Sequence, residues 1–107
     1  MQLSLKILAL VVVGAFHAAA DWVALDTTSY CQGTVTASGR HVFLGEAANN
    51  TLPLGTRVRV RPRVFGRSRF IILDRIGWGS QMDFYNPSCS AAVSYGRRVE
   101  EVRVTGR

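Results

Sequence analysis

Phe70-Ile71-Ile72-Leu73-Asp74-Arg75, followed across a Gly-rich turn by Gln81-Met82-Asp83-Phe84-Tyr85, is the stretch that decides the fold. The first segment is a continuous apolar run with β-branched members. Asp74 and Gly77 end it too soon for a helix, so it reads as a buried strand. Upstream, Arg57-Val58-Arg59-Val60-Arg61 alternates charged and apolar side chains, the period of a half-buried strand with one core face and one row of arginines. Downstream, Val99 to Val104 reads as another strand, with its two glutamates expected near an edge.

Turn signals separate these runs: Ser38-Gly39, Leu44-Gly45, Pro53 to Gly55, Pro62, Gly66, Gly77 with Gly79, and Asn86-Pro87. Short strands at this spacing predict an all-β domain, a small barrel or sandwich. The single helix expected is Ser88 to Tyr95, with Ser88 or Ser90 as N-cap and Gly96 as C-cap.

The first twenty residues form a separate unit. Lys6 is their one charged side chain, Ile7 to Phe16 is apolar, and Ala18-Ala19-Ala20 precedes Asp21. This is the pattern of a secretory signal peptide (1–20), with a domain spanning 21–107. The alternative is an uncleaved membrane anchor. The apolar run is short of the roughly 20 residues a span requires, and no basic flank follows to stop transfer. No stable membrane span is expected after cleavage, and the product is expected to be secreted, to the periplasm or to the extracellular cell wall.

Loss of residues 1–20 from the 107 leaves a single small domain and lowers the formal charge of +6 by the one positive charge of Lys6. Every remaining basic side chain other than His41 is an arginine. An arginine excess of this kind implies an anionic partner such as a cell-wall polymer, a membrane surface or nucleic acid. No base-stacking motif accompanies it, which ranks nucleic acid last. For Arg57, Arg59 and Arg61 the plainer alternative is a solvated strand face.

Cys31 and Cys89 are the only cysteines, and in a secreted chain they most simply form one disulfide. Two buried thiols or a metal pair are the alternatives. With His41 the one histidine after the leader, a zinc site is poorly supplied, and no metal or cofactor is expected.

Asp74 and Asp83 carry the clearest signal of chemistry. A carboxylate set among apolar residues loses solvation, and a second one nearby adds like-charge repulsion. Both effects raise a pKa towards the range of a general acid. Asp74 before Arg75 also suits a plain turn-stabilising role. Trp78 and Tyr85 are suited either to stacking on sugar faces or to packing as core and rim aromatics.

In order, the chain reads Thr28-Ser29-Tyr30-Cys31, Thr36-Ala37-Ser38-Gly39, Gly45-Glu46-Ala47-Ala48-Asn49, Leu52-Pro53-Leu54-Gly55-Thr56, Leu73-Asp74-Arg75, Met82-Asp83-Phe84-Tyr85 and Tyr95-Gly96-Arg97-Arg98. That order resembles the 3D domain, named for three aspartates, from about Thr28 to Val104. The same segments are similar to the rare lipoprotein A family and, more distantly, to barwin and expansin modules. The resemblance implies a small double-psi β-barrel with one short helix near its C-terminal end. It also implies a protein that acts on or binds peptidoglycan or a related wall glycan, as a lytic transglycosylase or as a non-catalytic binding module; a monomer is expected.

By the same resemblance Asp83 is the catalytic acid, Asp74 its supporting carboxylate, and Asn49 the third member of the site; Asn49, with Trp78 and Tyr85 in their stacking role, is expected to contact substrate. Asn49 stands where the 3D pattern has its third aspartate and the rare lipoprotein A relatives have histidine. The segment between Asp74 and Asp83 is also shorter than the family's, and Ile76 replaces its second glycine. An ordinary glycosidase needs two carboxylates. A lytic transglycosylase can work with one, because the sugar's own hydroxymethyl group attacks the anomeric carbon and no water is activated.

Overall fold

The computed structural model describes residues 21–77 and 79–107. The expected signal peptide and Trp78 lie outside the described residues. Six strands and a helix follow in order: β1 (Val23–Tyr30), β2 (Glu46–Ala48), β3 (Arg57–Val64), β4 (Arg67–Asp74), β5 (Met82–Tyr85), α1 (Cys89–Tyr95) and β6 (Arg98–Gly106). The strands close into a barrel in the order β1-β5-β2-β4-β3-β6. The chain is therefore an all-β barrel with one short helix near its C-terminal end.

Two of the six pairings, β1 with β5 and β2 with β4, are parallel, and the other four are antiparallel. Replacing each strand by the one three places along maps this set of pairings onto itself. That internal two-fold is the one a double-psi barrel has.

The alternation read in 57–61 is realised in β3, where Val58, Val60 and Val64 are buried and the arginines between them are exposed. Ala47, Phe70, Ile72, Met82, Phe84 and Val102 complete the inner layer with Tyr95. Phe70 and Phe84 meet at 4.7 Å between ring centroids. A fully buried side chain of this size contributes about 1.5–3 kcal/mol relative to leaving it exposed. Phe65 and Gly66, both at positive φ (52° and 76°), turn the chain between Val64 and Arg67 as a two-residue hairpin of the primed type. The Phe65 ring repays its strained backbone by packing on Tyr95 at 5.5 Å.

Helix α1 is capped as its sequence predicts. Ser88 Oγ accepts from the Ala91 N–H, and Gly96, at φ 67°, donates its N–H to the Val93 carbonyl. A disulfide between Cys31 and Cys89, with α-carbons 5.0 Å apart, ties the end of β1 to the first residue of this helix.

One expectation fails. Barrel closure pairs β6 with β1 on one side and β3 on the other, so its glutamates are not at an edge. Glu101 is exposed and bonded to Arg61, whereas Glu100 is 2% exposed. Burial pushes the Glu100 carboxyl above its ordinary range, against the opposing pull of Arg98 and Tyr95.

Candidate functional site

Asp83 lies in the middle of β5, whose neighbours in the barrel are β1 and β2. Its sequence neighbours Met82 and Phe84 are fully buried, so strand alternation turns Asp83 to the opposite face, where it is half-buried. In register, Asp83 stands opposite Thr28 on β1 and Ala48 on β2, and Ala48 in turn stands opposite Asp74 on β4. Asp74 and Asp83 therefore flank the small Ala48 side chain, two strand spacings or about 10 Å apart at their α-carbons.

A β-bulge makes that juxtaposition possible. Ala47 pairs with Ile72, but Ala48 pairs with Asp74, so one step on β2 corresponds to two on β4. In an unbroken strand, alternation would carry Asp74 with Phe70 and Ile72 onto the core side. The bulge re-aims it to the face it shares with Ala48 and Asp83.

Thr28 Oγ1 donates to Asp83 Oδ1 at 3.0 Å and lies 2.8 Å from Ser80 Oγ. Desolvation pushes the Asp83 carboxyl above its ordinary range and the charge of Asp74 adds to the rise, while the Thr28 hydrogen bond pulls the other way. Asp74 is held firmly: Oδ1 accepts the N–H groups of Ala37 and Arg75, both at 2.9 Å, and Oδ2 accepts the Tyr30 hydroxyl at 3.3 Å. It thus serves as turn anchor and as neighbouring charge at once.

Glu46 is the residue that sequence reasoning missed. It is 0% exposed, Oε1 accepts the Tyr30 hydroxyl at 2.7 Å, and Oε2 has no partner among the described residues. Its carboxyl is pushed up to about 7, chiefly by burial, with the charges of Asp74 and Asp83 adding to the rise and the Tyr30 bond opposing it. The Tyr30 hydroxyl, desolvated and facing two carboxylates, is raised as well. The available signal was a lone acid in the small-residue strand Glu46-Ala47-Ala48, with Tyr30 in a segment already marked by the motif.

Asn49 follows Ala48 and so sits beside the pair, but its side chain is committed elsewhere. Oδ1 accepts the N–H groups of Thr51 and Leu52 at 2.9 and 2.7 Å, and Nδ2 donates to the Gln81 carbonyl at 2.8 Å. Asn49 thereby fixes the 49–52 turn to the segment before β5. Tyr85 is 7% exposed and packs edge-on against Tyr30 at 5.4 Å, which favours the packing role over an open sugar platform.

A cleft of about 390 Å³ lies beside this region, lined by Val23, Leu25, Leu52, Val102 and Val104 with Asn49 and Gln81 at its polar end. Neither Asp74 nor Asp83 lines it; Ser80, which does, reaches Asp83 through Thr28. Among the described residues no group of three or more His, Cys, Asp or Glu side chains is placed to hold a metal ion. What the arrangement can do is set a desolvated, raised Asp83 carboxyl beside the Asp74 carboxyl, the kind of environment a general acid uses. No protein-family model and no curated protein matches the chain.

Proposed function

We propose that the protein is a secreted, wall-directed glycan lyase of the lytic transglycosylase kind, with Asp83 as its single acid and base. The observation that carries this reading is the half-buried Asp83 carboxyl, raised by desolvation and by Asp74 across Ala48. Protonated Asp83 gives its proton to the glycosidic oxygen as the bond to the anomeric carbon breaks. The hydroxymethyl oxygen of the same sugar attacks that carbon, and its proton passes to the Asp83 carboxylate. The products are an anhydro-sugar end and a free hydroxyl end, and the acid is regenerated without water. The resemblance to the 3D domain supports the substrate class, and the Cys31–Cys89 disulfide fits an oxidising compartment.

Mature protein incubated with purified sacculi tests the reading. Anhydro-muropeptides detected by mass spectrometry, and lost with Asp83→Asn, are the expected result; folded protein that yields none overturns it.

A second reading, a non-catalytic glycan-binding module of the expansin or barwin type, is favoured by Asn49, whose side chain is consumed by the turn instead of joining the two aspartates. It predicts sedimentation with sacculi that survives Asp83→Asn and creates no new chain ends.

A further inference from the structure

On the side of the barrel away from Asp83, strand register assembles a feature that neither reading uses. Arg59 on β3 stands directly opposite Arg69 on β4 and directly opposite Arg103 on β6. Three guanidinium stems thus share one row across three adjacent strands, at about 4.8 Å per strand. Like charges placed directly opposite one another destabilise a sheet. Within the row itself no acid pairs with these three arginines: of the two ion pairs among the described residues, Arg61 with Glu101 borders the row two residues along β3 and β6, and Arg97 with Asp26 lies elsewhere.

The row continues into a cleft of about 530 Å³ lined by Arg40, Arg57, Arg59, Arg67 and Arg69, with no acidic side chain in its wall. The Arg67 guanidinium lies against Gly45, where a Cβ would come within 2.9 Å of it. β3 is three strand positions from β5 in either direction round the barrel, so this face and the Asp83 face are back to back.

We propose that this face binds a linear phosphodiester polymer without bases, of the polyol-phosphate kind found in cell walls. A tetrahedral phosphate directs its oxygens several ways, so one group bridges two guanidinium stems on neighbouring strands. A planar carboxylate fits one fork at a time. Bases are disfavoured because the aromatic rings near the arginines offer no run of open faces: Phe43, in the cleft wall, is the one ring among them that is exposed, at 37%. Arg40 lies over Phe43 at 5.4 Å, Arg61 over Trp22 at 3.9 Å, and Phe70 is buried. Single-stranded nucleic acid binding relies on several stacking platforms for successive bases, and a single partly exposed ring does not supply them.

The inference is independent of Asp83, and its test is too. Binding of purified poly(glycerol phosphate) is measured by titration calorimetry between about 50 and about 200 mM salt, so that the slope of log affinity on log salt is read. The parent protein binds and weakens with salt. Arg59→Gln lowers the slope by about one, and Arg59→Gln with Arg69→Gln by about two, with affinity down tenfold or more. Arg97→Gln, which removes the same charge from the far side, leaves the slope unchanged, as does Asp83→Asn. Because Arg59 and Arg69 are exposed, thermal melts of their variants stay at or above the parent's. No binding at the lower salt overturns the proposal, as does an equal loss of slope in Arg59→Gln and Arg97→Gln. Tighter binding of a single-stranded DNA oligomer of matched charge also overturns it, in favour of nucleic acid.

Discussion

Thr28 and Asp83 face each other across the parallel β1/β5 pair, and the threonine hydroxyl donates to the carboxylate at 3.0 Å. This bond holds the Asp83 pKa down against desolvation and the charge of Asp74. Thr28→Val removes the donor at nearly constant shape, so the Asp83 carboxyl rises further. If Asp83 is the general acid, loss of activity with rising pH moves to higher pH in the variant. The stability cost is about 1 kcal/mol. Carbon-13 titration of the Asp83 carboxyl is the direct measurement, and an unchanged or lowered midpoint would contradict the assignment.

Glu46 makes stability depend on pH. Its carboxyl is raised from 4.5 to about 7 in the native state. Within that window the folded protein holds a proton that the unfolded chain releases. Stability is therefore highest below the window and falls as pH rises through it. The fall due to Glu46 is on the order of 3 kcal/mol. Asp83 and Glu100, also raised, add slopes of the same sign. Glu46→Gln keeps an acceptor for Tyr30 and flattens the Glu46 part of the slope, so the variant gains on the parent at about pH 8 and not at about pH 4. Denaturant midpoints across that range check it; parallel curves for the two proteins would refute the burial argument.

The strands with a clean period were legible in the sequence because burial on one face leaves its mark on every second residue, as in Arg57 to Arg61. Asp74 and Asp83 were legible because each interrupts an apolar run. Glu46 was not, since its burial depends on Tyr30, sixteen residues upstream, and on the approach of a loop: Ala37 and Ser38 bond to Asp74 and Leu73, and the Gly45 carbonyl accepts from Ile71. The bulge that turns Asp74 outward also leaves no periodic trace. Glu100 was misplaced for a related reason: whether a strand has an edge is decided by closure, which local pattern does not encode.

Asn49 offers a test of what the third position of the motif does in this chain. Asn49→Asp keeps the acceptor for the Thr51 and Leu52 N–H groups but replaces the donor to Gln81 with an oxygen facing an oxygen. The expected cost is about 1–3 kcal/mol. The new carboxylate stays tied to the turn, so anhydro-muropeptide yield does not rise. A variant that melts with the parent and turns over faster would show that the side chain is free to serve the site.

The Cys31–Cys89 disulfide spans 58 residues of chain. In the chain-entropy model a loop of that length stabilises the fold by about 4 kcal/mol. Cys31→Ser with Cys89→Ser is thus expected to lower the denaturant midpoint steeply, and a reduced parent protein should match the double variant. A loss below about 1 kcal/mol would mean that the unfolded chain is already constrained, for instance by residual barrel contacts.

Gly45 separates backbone strain from steric contact on the arginine face. Its φ of 121° is disfavoured for any side-chain-bearing residue, and an added Cβ would meet Arg67 Nη2 at 2.9 Å. The contact is with the far end of a flexible side chain, which can move away, whereas the backbone angle is fixed by the Gly45 carbonyl accepting from Ile71 and by the start of β2. Gly45→Ala is therefore expected to cost about 1–3 kcal/mol, nearly all of it strain. Adding Arg67→Ala to Gly45→Ala should recover little of the loss. Full recovery in the double variant, measured by urea denaturation, would instead assign the cost to the guanidinium and show that Gly45 is kept for Arg67.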